Sequence, residues 1–129
     1  MSIQLRAVEI VAASIPTSLD FYRLLDVPVP DRVEGPHAEA ELPGGVKLLW
    51  DTEELIGSIE PGWQRATGGQ PIKLAFDCGT PDGVDQTYAA ITGAGHRGAA
   101  EPWDADWGQR YAVVIDPDGN HVDLYAALT

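Results

Sequence analysis

The sequence predicts an α+β chain built from two tandem βαβββ modules, and three observations carry that reading. The first is a hairpin late in the chain, residues 107–126. Two strand-like runs, Arg110–Ile115 and His121–Ala126, flank Asp116-Pro117-Asp118-Gly119-Asn120. Pro117 presets the second position of a turn, and Gly119-Asn120 tolerates the positive φ that closes it. The second observation is an echo of that hairpin 75 residues earlier, over Ala40–Trp50. Gly44 then stands for Gly119, Val46 for His121, Leu48 for Asp123 and Trp50 for Tyr125. The third is an echo at a shift of 66, where Val8–Val11, preceded by Ala7, matches Leu74–Asp77, preceded by Lys73. Two copies of one long unit fit a fused pair better than a solenoid, which needs more repeats.

Taken in order, Gln4–Ala12 alternates as a strand, with Val8, Ile10 and Ala12 on one face and Ala7, Glu9 and Val11 on the other. A short helix is expected over Ile15–Leu25. Ser14 suits its N-cap, Pro16 its first turn, and Leu19, Tyr22 and Phe21 its apolar face. Prolines stud Val27–Val33, which reads as a weak edge strand or a loop. His37–Leu42 alternates sharply, Ala38, Ala40 and Leu42 against His37, Glu39 and Glu41. Val46–Trp50 follows as a strand, and Thr52 caps a helical turn over Glu53–Ser58. The first module thus covers about residues 1–58, residues 59–70 (with Trp63) link the modules, and residues 71–129 form the second. There, strand Pro71–Cys78 precedes a helix over Gly83–Thr92, which Gly93 and Gly95 stop. His96–Gly108 is a strand or irregular stretch, and the hairpin closes the chain. The whole is expected to be a single domain of two pseudo-repeats.

At 129 residues and 44% hydrophobic, the chain has room for a real core. No run approaches the ~20 apolar residues of a membrane span. The N-terminus lacks a signal-peptide layout, so a cytoplasmic location is expected. The single cysteine, Cys78, excludes an internal disulfide; a small buried hydrophobe is the expected role, with a reactive thiol as the alternative. Eight basic against 20 acidic side chains give a formal charge of −12. That argues against nucleic-acid and anionic-membrane partners and permits a cationic or electron-poor one. Simple solubility is the competing explanation of the acid.

Phe21-Tyr22 after the short helix, Leu74-Ala75-Phe76, and Asp116-Pro117-Asp118-Gly119-Asn120 resemble the vicinal oxygen chelate superfamily of glyoxalases, bleomycin-resistance proteins and dioxygenases. The likeness covers nearly the whole chain. It is nearest to the mitomycin-binding resistance members, through Pro36-His37-Ala38-Glu39-Ala40, Trp50-Asp51-Thr52, Thr67-Gly68-Gly69, Pro102-Trp103 and the run from Trp107 to Asn120. The resemblance implies curled mixed sheets with helices outside, forming a cup that holds metal or ligand, and a homodimer. Its enzymes place metal ligands at four places, which on the repeat alignment are Ala7, Leu48, Lys73 and Asp123. Alanine and leucine offer no donor, and a lysine ammonium has no lone pair. One carboxylate does not hold an ion that takes about four ligands. No metal and no other cofactor is therefore expected, and metal-polarised chemistry has no basis in these residues. Lys73 is expected either to pair with Asp123 or to snorkel to the rim.

What the resemblance leaves is a cup lined by Glu9, Glu39, Trp50, His121, Asp123 and Tyr125. Trp103 and Trp107 flank Asp104 and Asp106 in a polar stretch and are expected to form a binding wall. The alternative is that they are partly buried core. In the mitomycin-binding relatives, a histidine and a tryptophan at the places of His37 and Trp107 stack on the drug. The functional expectation is a metal-free binding protein that sequesters an aromatic, quinone-like or cationic antibiotic. No serine sits in a nucleophile elbow and no glycine-rich loop opens a helix. The alternatives are a metal-free isomerase or lyase using Glu9 or Asp123 with His121, or a metal-dependent glyoxalase or dioxygenase whose ligands lie a residue or two from those aligned here.

Overall fold

The computed structural model of the protein describes residues 2–129. The chain divides into two compact units, one running to Arg65 and the other from Ala66 to Thr129.

The first unit contains β1 (Ala7–Ala12), α1 (Ile15–Arg23), β2 (His37–Glu41), β3 (Lys47–Thr52) and α2 (Glu53–Ile59). Its sheet has the order β1-β3-β2, with β1 parallel and β2 antiparallel to β3. Ser14 caps α1 by accepting from the Thr17 N–H, and Pro16 occupies the first turn. Thr52 caps α2 in the same way, its hydroxyl oxygen 3.2 Å from the Leu55 nitrogen. Of the two alternatives for Val27–Val33, a weak edge strand or a loop, the loop is what forms, so this unit has three strands where the repeat implied four. Pro28 and Pro30 leave it two donors short of a ladder.

Alternation decides what this sheet buries. Val8, Ile10 and Ala12 share a face with Leu48, Trp50, Ala38 and Ala40 by register. That face is the core. Phe21, Tyr22 and Leu19 of α1 are buried with it, and the Tyr22 and Trp50 rings meet edge to face at 5.7 Å. Trp50 is 0% exposed, so it lines no cup. The open face carries Ala7, Glu9, Lys47, Leu49, Asp51, His37, Glu39 and Glu41.

The second unit has the complete βαβββ order: β4 (Leu74–Asp77), α3 (Pro81–Gly93), β5 (Arg97–Ala105), β6 (Gln109–Ile115) and β7 (His121–Ala127). The sheet order is β4-β7-β6-β5. Thr80 caps α3, and Gly95, at φ +98°, follows its end. Val84 and Ile91 of α3 are fully buried, as are Val122, Leu124, Ala126, Ala112 and Val114 on the facing side of the sheet. Cys78 is half-buried rather than a core residue. Asp116 organises the β6–β7 turn: its carboxylate accepts from the Asp118 and Asn120 backbone N–H groups and from the Asn120 side-chain amide, at 2.8–2.9 Å. Gly119 supplies the positive φ, +88°.

The two units correspond at a shift of 74, not 75. Glu41 and Lys47 bracket one hairpin as Ile115 and His121 bracket the other, while Glu9 lies opposite Leu49 as Ala75 lies opposite Asp123. Pro43 is followed by two glycines, both at positive φ, and Gly45, not Gly44, is the counterpart of Gly119. A one-residue slip turns every side chain to the opposite face. The place of Asp123 in the first unit therefore belongs to Leu49, and that of Tyr125 to Asp51.

Candidate functional site

The open face of the first unit is held by a network around His37. Its Nδ1 lies 2.5 Å from Asp51 Oδ1 on the paired strand, and its Nε2 lies 2.8 Å from Glu39 Oε2. Lys47 Nζ reaches the other Glu39 oxygen at 3.2 Å. Asp51 is 3% exposed, so His37, rather than water, satisfies its Oδ1. Hydrogen bonds to Asp51 and then Glu39 raise the His37 pKa above the ordinary histidine value. Glu9, one strand away, is pushed up to about 7, first by its hydrogen bond with Asp51 and then by partial burial. Glu9 can thus hold or release a proton near neutral pH beside the Asp51 carboxylate. Glu39 moves the other way, lowered by His37 and Lys47. Arg6, Ala7, Glu39, Glu41, Gly45, Lys47 and Leu49 line an open groove of about 560 Å³ beside the network.

In the second unit, the open face is aromatic. Register aligns Asp77, Tyr125, Tyr111 and Trp103 in one row across β4, β7, β6 and β5. Two register shifts in β5, between Gly98 and Ala100 and between Ala100 and Trp103, bring Trp103 opposite Tyr111. Bulges commonly re-aim a side chain in this way. Trp107 sits in the turn before β6 and completes a three-ring cluster. Its centroid is 5.4 Å from Tyr111 and 6.3 Å from Trp103, and Trp103 is 5.6 Å from Tyr111, all edge to face. The Trp107 indole N–H donates to Gln109 Oε1 at 2.9 Å. Trp103 and Trp107 are 38% and 60% exposed. They are a surface wall, not core.

Beside the wall stands an ion pair. Lys73 Nζ lies 2.6 Å from Asp123 Oδ1, and the Tyr111 hydroxyl donates to Asp123 Oδ2 at 2.6 Å. Burial, then the bond to Asp123, pushes Tyr111 up to about 12, so the phenol keeps its proton. Lys73 therefore pairs rather than only snorkelling. His121 is anchored through its backbone, which exchanges two hydrogen bonds with the Gln70 side-chain amide.

The four places where the superfamily's enzymes carry metal ligands do not suit a metal here. Corrected for register they hold Ala7, Leu49, Lys73 and Asp123, and Lys73 already neutralises the one carboxylate. Among the described residues, no group of three or more His, Cys, Asp or Glu is arranged to hold an ion.

Of the expected site residues, Glu9, Glu39 and His37 come together in the first unit. Lys73, Asp123, Tyr125, Trp103 and Trp107 share the open face of the second, with His121 on the same alternation. Trp50 is the one removed to the core. The acids expected to line the cup are largely offset by their own partners. Two contributors were missed. Asp51 was placed only in a likeness, because the slipped register turned it inward. Tyr111 sits two residues from Asp123's partner Val113 on an alternating strand, and that spacing was the available signal.

Comparison with known proteins supplies the family. The Glyoxalase/Bleomycin resistance protein/Dioxygenase superfamily model matches residues 4–124. An uncharacterized protein of Mycobacterium bovis is 29% identical over 114 residues, covering 84% of this chain and 73% of that protein. An uncharacterized protein of Mycobacterium tuberculosis H37Rv is also 29% identical, with 84% and 65% covered. The chain thus spans about two thirds of the length of these curated relatives. Among solved structures, a glyoxalase/bleomycin resistance protein/dioxygenase family enzyme from Burkholderia phytofirmans aligns with TM-score 0.84 at 20% identity, covering 98% of this chain and 100% of the other. A glyoxalase-related enzyme from Fulvimarina pelagi aligns with TM-score 0.81 at 15% identity, covering 95% and 87%. These structures establish the fold. The likeness to mitomycin-binding members rests on the quoted residues alone. No helix among the described residues is long and apolar enough to cross a membrane.

Proposed function

The chain belongs to the Glyoxalase/Bleomycin resistance protein/Dioxygenase superfamily, and from that premise we propose that it is a metal-free binding protein for a small, flat, aromatic or quinone-like molecule, acting by sequestration as antibiotic-resistance members do. The observation that carries the reading is the exposed Trp103–Trp107–Tyr111 cluster beside a Lys73–Asp123 pair that stands where a metal would be held. Exposed indoles are costly to leave in water and offer flat, polarisable faces for stacking. In this reading Tyr125 and His121 complete the lining on the second unit's open face, and His37, fixed by Asp51 and Glu39, is with Glu9 a ligand contact of the first unit's own open face. In this reading the protein works in the cytoplasm as a homodimer, the latter implied by the resemblance of its sequence to resistance members of the superfamily.

A thermal-shift screen against aromatic antibiotics, including mitomycin C and bleomycin, tests this. The expected result is a concentration-dependent rise in Tm with one ligand per chain and no turnover. Unchanged Tm across the panel would contradict it.

A second reading is a metal-free acid–base enzyme, an isomerase or lyase. The Glu9–Asp51–His37 network favours it, because a carboxyl near pKa 7 can both give and take a proton at neutral pH. Chemical change of a bound ligand, abolished by Glu9→Gln, would select this reading over sequestration.

A further inference from the structure

The Lys73–Asp123–Tyr111 group has a property that the stacking wall alone does not use. Asp123 is nearly buried and both its oxygens are occupied, Oδ1 by Lys73 and Oδ2 by Tyr111. Oδ1 touches the Lys73 ammonium as an ion contact without hydrogen-bond geometry, while Oδ2 accepts a hydrogen bond from Tyr111, so the carboxylate is held on both sides. Lys73 is not saturated. Its ammonium carries three donors, Asp123 is its one ion-pair partner among the described residues, and its side chain is 38% exposed. Its N–H bonds are therefore available to solvent or to a ligand.

Strand register says how far this donor is from the wall. Tyr111, Tyr125 and Trp103 lie in one cross-strand row, and Asp123 lies two residues along β7 from Tyr125. Two residues of strand advance by roughly 7 Å. A ring stacked on the wall, an oxygen at its edge and one hydrogen bond fill that interval. Building on the aromatic-binding reading, we propose that Lys73 is the specificity-determining donor for a carbonyl or phenolate oxygen at the edge of a fused aromatic ligand, with Asp123 and Tyr111 positioning it.

Three features support the assignment. A hydrogen bond from an ammonium to a ligand oxygen is charge-assisted and short. Tyr111 both contributes a ring to the wall and bonds Asp123, which ties the donor's position to the stacking surface. Lysine cannot accept, so a ligand presenting N–H or ammonium at this edge leaves two donors facing each other. The group therefore discriminates between acceptor-edged and donor-edged aromatics.

The test uses two probes with the same ring count, xanthone, which has an edge carbonyl, and xanthene, which has a methylene in its place. Affinities are read from quenching of tryptophan fluorescence in the full-length protein. Xanthone is expected to bind about tenfold more tightly than xanthene, the worth of one charge-assisted bond. The ratio should collapse towards one in Lys73→Met, and the infrared carbonyl stretch of bound xanthone should move to lower wavenumber only when Lys73 is present. If Lys73→Met does not fold, the wild-type ratio and carbonyl stretch still decide. Equal affinities in the wild type, or an unchanged ratio in a folded Lys73→Met, would overturn the role of Lys73 while leaving aromatic binding intact. Failure of both probes to bind would overturn the aromatic-binding reading and this inference with it.

Discussion

His37 and Asp51 lie directly opposite each other on β2 and β3, joined by a bond from Nδ1 to Oδ1. The pair occupies in the first unit the places that Tyr111 and Tyr125 occupy in the second. One fold has put a charged network on one open face and an aromatic row on the other.

That network makes stability pH-dependent with a definite sign. Glu9 and His37 both have raised pKa values in the folded state. Each binds its proton more tightly folded than unfolded, so its contribution is full below the unfolded pKa and is lost as pH rises through the folded one. For Glu9 the window runs from 4.5 to about 7; for His37 it lies at and above 6.5. Lowered Glu39 opposes this at the acid end. Urea midpoints should therefore fall between about pH 5 and pH 8, and Glu9→Gln should flatten the lower part of that decline. A midpoint rising across the same range would contradict the assignment.

Trp50 should matter for stability and not for binding. It is wholly buried against Tyr22, so Trp50→Ala should cost about 3–5 kcal/mol. Its indole N–H has no partner among the described residues, so Trp50→Phe, which removes that donor, should cost much less. Chemical denaturation of the two variants checks this order.

Asp116 should prove structural. Asp116→Ala removes three acceptor bonds at a nearly buried turn and should cost about 2–3 kcal/mol. Asp116→Asn keeps part of the set and should fall between. Calorimetry on both variants would show it, and an unaltered Tm in Asp116→Ala would remove the turn from the account.

Much of this was legible in the sequence because it is local. Ser14 and Thr52 cap their helices and Gly119 closes its turn, all from short-range chemistry, while the pairing of Lys73 with Asp123, one of two alternatives, came from their places in the family resemblance. The misplacement of Trp50 and the neglect of Asp51 share one cause. Gly44 and Gly45 are equally permissive, so glycine matching could not fix the hairpin register, and the wrong choice turned a strand over. The loop at 27–33, one of the two alternatives, was legible from Pro28 and Pro30. The β5 bulges left no clear sequence mark, so the placing of Trp103 opposite Tyr111 was not legible, whereas alternation along β6 did put Tyr111 on the face of Asp123 and Tyr125.

The central claim is that Trp107 forms the ligand-stacking wall. Trp107 is largely exposed, so its replacement should leave the fold intact. Stacking contributes ~0.5–1.5 kcal/mol beyond area burial, and with the lost indole surface Trp107→Ala should weaken binding by roughly 2–3 kcal/mol, around a hundredfold. Fluorescence titration with the antibiotic that gives the largest thermal shift measures this directly. The wild type and Trp63→Phe should be quenched alike, Trp107→Phe should keep much of the affinity but lose most of the quenching, and Trp107→Ala should lose both. A folded Trp107→Ala that binds and quenches as the parent does would contradict the account.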